Sequence, residues 1–530
     1  MSLLRHFATV GGGTIVSRVL GFTRDVLTAS ALGTGPVADA FFVAFRLPNL
    51  FRRIFAEGAF NAAFIPLFAK ELEGEGARSA RRFAEQSMAA LLFVLLLLTA
   101  LAEIAMPAFM LLLAPGFTDD PGKFDFSVLL TRITFPYLTF ISLVALLSGV
   151  LNALGRFAAA AFAPALLNAV LIGALLAIHA VNADGSETAG IYLSIGVFVA
   201  GVVQLLMLAW AARRAGMGLS LVRPRWTPGI KRLVALGIPG VIAGGITQIN
   251  IMVGTMIASM QDRAVSFLYY ADRLYQLPLG TIGIAIGIVL LPELSRRLRA
   301  GDGEAVMNGQ NRALEFALTL TLPCAAALFF VPDAIIRGLF ERGAFGPEDT
   351  AATAAALAAF ALGLPAFVLN KVFAPAFFAR EDTKTPMYYA AVNVAANIGF
   401  SLLLFRYFGH VGIAAGTTIA GWINSGLLGY KLWQTGHLVP DARLKRRTLL
   451  ALNATAWMSV ALLLANRLLA PLAGHGQLWA VAVMLILVFV GLVVFGGLAA
   501  ATGVMTKADL GRAFSKRAAK AETPPADADL

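Results

Sequence analysis

Two stretches near the N-terminus decide how this chain is read: SRVLGFTRD (17–25) and DAFFVAFRLPNLFRRIFAEGAFNAAFIPLF (39–68). They sit in segments, 7–31 and 36–68, that are apolar enough to read as membrane helices. Yet these segments carry Arg18, Arg24, Asp25, Asp39, Arg46, Arg52, Arg53 and Glu57. An ionisable group at mid-bilayer costs roughly 2.5–3.5 kcal/mol, so eight facing lipid would cost on the order of 20 kcal/mol. The eight must face protein or a water-filled cavity, where intramembrane charge marks a functional site. Most are arginine, whose planar fork suits a bidentate grip on phosphate. The two segments predict a transporter for something anionic.

The rest of the chain agrees on class. Of 530 residues, 58% are hydrophobic and 14% charged, which leaves no room for a large soluble domain. Apolar runs long enough for a bilayer of about 30 Å recur almost throughout. They predict about 14 spans, near 7–31, 36–68, 83–113, 127–152, 159–180, 189–212, 230–259, 264–294, 306–331, 351–379, 385–407, 411–433, 448–469 and 478–503. Run length and the lack of alternation argue for an all-α polytopic membrane protein over a β-barrel.

The formal charge, 42 − 30 = +12, is informative through its placement. Lys70, Arg78, Arg81 and Arg82 lie between spans 2 and 3, and Arg213, Arg214, Arg223, Arg225, Lys231 and Arg232 between spans 6 and 7. Arg296, Arg297 and Arg299 follow span 8; Arg443, Lys445, Arg446 and Arg447 precede span 13. Alternate loops are acidic, as in Asp119, Asp120 and Asp125 with only Lys123, or Asp184 and Glu187 with no Lys or Arg. This positive-inside pattern predicts both termini in the cytoplasm and makes nucleic acid a poor partner. The first span is too glycine-rich and charged for a cleavable signal peptide. Cys324 is the sole cysteine and the five histidines lack ligand spacing, so neither a disulfide nor a metal cluster is expected.

Weak self-similarity divides the chain. FVAFRLPN (42–49) resembles YYADRLYQ (269–276), placing Arg46 opposite Arg273; Pro66 echoes Pro292, and Arg156 stands opposite Arg380. The offset of about 226 residues covers six spans, an even number, which predicts a parallel repeat. Chance likeness among Ala/Leu-rich helices is the competing account. The expected organisation is an N-lobe at 1–215, a C-lobe at 228–435, an added helix pair at 445–505 and a basic, disordered cytoplasmic tail at 506–530.

On a helix, Arg18 and Asp25 share a face, as do Asp39, Arg46 and Arg53, while Arg53 and Glu57 form an i, i+4 pair. Arg24 and Arg52 fall off those lines, less obviously neutralised within their own helices. Asp272 and Arg273 bring charge to span 8. Arginines drawn from both halves would clamp a diphosphate and release it as the halves rock; ion pairing that only locks the bundle is the structural alternative. Asn393 and Asn397, with Thr417 and Thr418, suit a small cation or plain interhelical hydrogen bonding. Ser266, Tyr269 and Tyr270 suit a sugar or peptide contact, or interfacial anchoring. No GxxxxGK[ST] loop and no carboxylate-rich loop for Mg²⁺ is present, so neither an ATP motor nor a glycosyltransferase centre is encoded. The expectation is a non-enzyme, without cofactor, driven by a cation gradient, the membrane potential or the cargo gradient.

The same 17–25 and 39–68 stretches resemble the N-terminal signature of the MurJ (MviN-type) lipid II flippases, within the multidrug/oligosaccharidyl-lipid/polysaccharide exporter superfamily. APGF (114–117), ITFPY (133–137), SFLYYADRLYQLPLG (266–280) and APAFFAREDTKTP (374–386) extend the likeness through span 14. The resemblance implies 14 helices in two six-helix lobes, plus a pair forming a groove for the lipid tail. It implies movement of undecaprenyl-diphosphate-linked peptidoglycan precursor from the inner to the outer leaflet of a bacterial inner membrane. Its partners would be lipid II, membrane lipids and cell-wall synthesis or division proteins. By the same likeness Arg18, Arg24, Arg52 and Arg273 would bind diphosphate, with Asp25, Asp39, Glu57 and Ser266 pairing or gating. The chain departs from some relatives at Gln276, where they carry Glu, and in span 11, where Asn393 and Asn397 stand without an acidic neighbour. The rivals are a flippase for another undecaprenyl-linked glycan, a multidrug antiporter, which would favour an acidic cavity, and a membrane glycosyltransferase.

Overall fold

A computed structural model describes residues 2–52 and 61–504. Arg53, Glu57 and the 506–530 tail lie outside the described residues, as does the side chain of Arg52. Among the described residues the chain is helical with no strand. The first nine helices are α1 (Ser2–Leu32), α2 (Pro36–Arg52), α3 (Asn61–Gly74), α4 (Ala77–Ile104), α5 (Met106–Leu113), α6 (Pro121–Thr134), α7 (Tyr137–Ala153), α8 (Phe157–Ala180) and α9 (Glu187–Arg214). Nine more follow in the same sequence of lengths: α10 (Pro228–Ser259), α11 (Ala264–Pro278), α12 (Ile284–Arg299), α13 (Gly303–Phe330), α14 (Pro332–Phe340), α15 (Pro347–Ala361), α16 (Leu364–Phe378), α17 (Lys384–Phe408) and α18 (His410–Gln434). The chain closes with α19 (Ala442–Ala473) and α20 (Gln477–Ala501).

The starts of α1, α4, α5 and α6 precede those of α10, α13, α14 and α15 by 226 residues each (228 − 2, 303 − 77, 332 − 106, 347 − 121). The parallel repeat is thus written in the element order, with α19 and α20 as the addition. Among the described residues ten spans are long and apolar enough to cross a membrane: α4, α6 with α7, α8, α9, α13, α15 with α16, and α17 to α20 singly. The four other expected spans are helical in α1, α2 with α3, α10, and α11 with α12. They are the first two of each half. In α11–α12 the interruption is a π turn, Leu279–Gly283, directly after Pro278, which has no N–H for the helical ladder.

Contacts divide the chain into two compact units: Met1–Ala271 with Leu339–Ala356 and Asn397–Gly416, and Asp272–Gly338 with Leu357–Ala396 and Thr417–Leu530. In the first, α1 packs along α8, and α9 packs on both α8 and α7. The α1–α8 approach is close because Gly13 and Gly21 face it; a Cβ on Gly13 would come within 3.0 Å of the Ala161 carbonyl oxygen. Phe64, Phe68, Phe83, Leu147 and Val150 fill an adjoining core. In the second unit α19 and α20 pack together, burying Met458, Leu462, Val483 and Leu487 against Val331. The outward faces are apolar: Leu485, Phe489 and Leu492 of α20 are 57–69% exposed, which is stable only where lipid is the solvent.

The second unit also holds an interhelical charge cluster. Buried Glu315 of α13 pairs with Arg312, Arg443 and Arg447, and Arg312 reaches Asp441, the N-cap of α19. Burial raises the Asp441 carboxyl, but the Leu444 backbone N–H (2.6 Å) and Arg312 outweigh it and hold it below the usual carboxylate range. A depressed pKa contributes stability that is fully present above the unfolded value near ~3.9 and is lost as pH falls through the folded value. Thermal unfolding in detergent is therefore expected to lose this contribution below pH ~4 in the native protein. Asp441→Asn should flatten that part of the pH profile; an unchanged profile would exclude Asp441 as its source.

Candidate functional site

The polar residues of the first unit gather in two places along α1. The first is near its middle. Arg24 donates through Nε (3.1 Å) and Nη2 (2.6 Å) to Asp25 Oδ1, and through Nη1 to Asn168 Oδ1 of α8 (2.9 Å). Asn168 in turn donates to the Ser17 carbonyl at 3.0 Å, so α8 fixes both the guanidinium and the helix carrying it. The Tyr269 hydroxyl donates to the same Asp25 oxygen at 3.3 Å, and its ring stacks on Phe42 with centroids 3.8 Å apart. Asp25 pairs with its neighbour Arg24, and Arg18, one turn and more before it, is exposed.

The second place is the corner where α1 ends and α2 begins. The last carbonyls of a helix have no partner inside it. Here Ser30 O accepts from Ala344 N (2.8 Å), Ala31 O from Gly185 N (2.7 Å) and Gly33 O from the buried Tyr270 hydroxyl (3.0 Å). Gly33 (φ 60°) and Gly343 (φ 59°) make this approach feasible, since a Cβ on either would collide with backbone of the other strand of the contact. The Thr34 hydroxyl donates to Asp349, whose other oxygen accepts from Gly346 N (2.9 Å) at the start of α15. Tyr270 is therefore core, neither a cargo contact nor an interfacial anchor.

One turn further on, Asp39 is fully buried and takes four donors. Lys123 Nζ (2.9 Å) and Arg263 N (3.1 Å) reach Oδ2; Ser266 N (3.0 Å) and Oγ (2.6 Å) reach Oδ1. Ser266 N and Arg263 N are orphan donors at the first turn of α11, so a carboxylate from α2 caps a helix of the other half, where the helix dipole also favours an anion. Arg263 holds a left-handed backbone (φ 62°) and extends Nη1 to Asp349 at 3.4 Å. Lys123 lies over the Phe117 ring at 4.3 Å and 3.6 Å from Asp262, which is almost fully exposed. Asp39 and Ser266 are thus brought together as expected, but Asp39 pairs with Lys123 and Arg46 donates to the Thr255 hydroxyl. Sequence reasoning missed Lys123, Arg263, Asp349 and Asn168. The one available signal was Lys123 standing alone among acidic residues in its loop.

The remaining expected site residues are placed as follows. Arg273 lies on α11 four residues after Tyr269, half-buried, in the second unit, and neighbouring Asp272 accepts from Gln276. Asn397 uses both ends of its amide, donating to Asn250 (2.8 Å) and accepting from Ser401 (3.2 Å); Asn393 is half-buried one turn earlier on α17. Thr418 donates to the Ala359 carbonyl at 2.7 Å.

With the geometry in place, likeness to known proteins decides the family. The profile of the family described as lipid II flippase MurJ matches residues 28–489. The chain belongs to the MurJ family. It is 51% identical over 478 residues to a probable lipid II flippase MurJ of Rhizobium tropici, covering 90% of each chain. A solved structure of a lipid II flippase MurJ in an inward closed conformation superposes with a TM-score of 0.76 at 25% identity, covering 92% of this chain and 97% of that one. An inward-facing multidrug transporter of the MATE family, in the MOP superfamily, shares the fold at 14% identity, with a TM-score of 0.66, covering 79% and 95%. This MurJ-family chain is therefore a polytopic membrane protein of a transporter family.

The buried pair offers a direct test. Asp39→Ala strands the Lys123 ammonium, with a cost of about 3–5 kcal/mol typical of a broken buried ion pair. Asp39→Ala should markedly lower the thermal midpoint in detergent, and Asp39→Ala/Lys123→Met should recover much of the loss. Equal midpoints for the single and double variants would show that the pair is not coupled.

Proposed function

We propose that the chain is a lipid II flippase, moving the undecaprenyl-diphosphate-linked peptidoglycan precursor from the inner to the outer leaflet of a bacterial inner membrane by alternating access. Family membership supplies the cargo. The observation that carries the mechanism is the corner at Gly33–Asp39, where hydrogen bonds and ion pairs join α1, α2 and α6 to the starts of α11 and α15. With both termini cytoplasmic, as the basic loops require, α1 ends on the periplasmic side. The corner is then a periplasmic gate held shut by polar contacts, each of which water can replace on opening.

In this reading residues 1–215 and 228–435 are the rocking lobes, and 445–505 the lipid-groove helices. Arg18, Arg24, Arg52 and Arg273 grip the diphosphate. Asp25 holds Arg24 oriented until cargo arrives, exchanging one anion for another without leaving the guanidinium bare. Glu57 completes the gating set with Asp25, Asp39 and Ser266. The chain performs no covalent chemistry, and the membrane potential or a cation gradient drives return. Asn393 and Asn397 are the candidate cation ligands. Cell-wall synthesis or division proteins are the protein partners it would meet.

The test is lipid II exposure at the outer leaflet of proteoliposomes containing the purified chain. Lysine keeps charge but loses the two-pronged grip, and a hydrogen bond to a charged group is worth about 1.5–3 kcal/mol. Lysine at Arg24 or Arg273 should therefore slow exposure roughly 10- to 100-fold. Normal rates in all four lysine variants would exclude fork-mediated binding. Transfer of a different undecaprenyl-linked glycan in place of lipid II would reassign the cargo.

A further inference from the structure

Away from the gate, a groove of about 670 Å³ opens on the outer surface of the first unit, between the end of α7, the start of α8 and the end of α9. Its floor is apolar, with Phe162, Met207 and Trp210 among the lining residues, and two arginines, Arg156 and Arg214, stand on it. No acidic residue lines it. Both guanidiniums are exposed, and Arg214 lies over the Trp210 ring at 4.1 Å. Arg156 is the N-cap of α8, whose first turn has no side-chain cap. The orientation above puts this end of the bundle at the cytoplasmic leaflet, where anionic lipid headgroups concentrate.

We propose that the groove is a binding site for an anionic glycerophospholipid. Arg156 and Arg214 hold its phosphate, the open first turn of α8 adds backbone donors, and the acyl chain lies on Phe162, Met207 and Trp210. Charge complementarity selects this occupant: a zwitterionic lipid brings its own cation to a rim that already has two. The repeat supplies an internal control. The equivalent turn of the other half, between α16 and α17, carries Arg380 followed by Glu381 and Asp382, and Arg380 Nη1 folds back to the Ala376 carbonyl at 2.6 Å. That turn has the arginine but not the uncompensated charge, so it should not bind.

The experiment is native mass spectrometry of the full-length protein in neutral detergent, titrated with phosphatidylglycerol or phosphatidylcholine. The first phosphatidylglycerol adduct should form in preference to phosphatidylcholine. It should weaken roughly thirty-fold in Arg156→Ala/Arg214→Ala, as expected for two interfacial basic contacts. Arg156→Lys/Arg214→Lys should retain part of the affinity, and Arg380→Ala all of it. Undiminished binding in the double alanine variant, or equal affinity for phosphatidylcholine, would overturn the site. Displacement by millimolar inorganic phosphate would overturn the lipid assignment in favour of a free anion. If the double variant loses its helical circular dichroism, quenching of Trp210 by brominated phosphatidylglycerol, read against Trp210→Phe, decides instead. Equal quenching in the two proteins would overturn the proposal. None of these readouts involves lipid II, so the site stands or falls apart from the flippase reading.

Discussion

The buried carboxylate of Asp39 is the contact on which the first unit depends. A charge with no solvent exposure persists only when its oxygens are fully engaged, and here four donors from three residues converge on it. Two of those donors are backbone groups at the start of α11. A helix from one half of the chain is therefore terminated by a side chain from the other. Neither half, folded alone, would satisfy this corner: α2 would bury an anion short of partners, and α11 would expose its first N–H groups. The corner makes the first unit a mixture of both halves, which is why its contacts reach Leu339–Ala356.

The chemistry of the corner suits the gate proposed for it. An apolar seal of equal area would be non-directional and would gain about 25 cal/mol per Å² whenever closed. A hydrogen bond exchanged for water gains only about 0.5–1.5 kcal/mol net, so a set of them closes with definite geometry and little depth. The left-handed backbone of Arg263 subtracts further, on the order of 1–3 kcal/mol for a strained non-glycine residue. Such strain persists where surrounding contacts over-determine it, and Arg263 is tied through its N–H to Asp39 and through its guanidinium to Asp349.

The fold class was legible because apolar runs and basic loops are properties of single segments. The repeat was legible as a faint offset between FVAFRLPN and YYADRLYQ, and the helix order renders the same offset plainly. Pairings were another matter. Helical periodicity placed Asp39 with Arg46, because it sees only neighbours along one helix. Asp39 chose Lys123, 84 residues away, and Ser266, 227 residues away. Arg24 turned to Asp25, which periodicity places to one side, because Asn168 of α8 holds the guanidinium there. Long-range partners of this kind leave no period in the sequence, and only the lone lysine in an acidic loop hinted at one.

Ionisable residues stand inside the first two spans of the first half and inside the second span of the other half, and this distribution bears on how the repeat diverged. Duplication hands both halves the same pair of helices, and burial then demands that each charge kept inside them find a partner. In the first half the partners are now largely internal to one unit: Arg24 with Asp25 and Asn168, Asp39 with Lys123. In the second, Asp272 is met by Gln276 on its own helix. The outer turns diverged in the opposite sense, with Arg380 followed in sequence by Glu381 and Asp382 and Arg156 left lining an acid-free groove. Charge that duplication made equal has thus been neutralised at different places in the two halves. The halves are alike in helix order but distinct in where each leaves an arginine exposed.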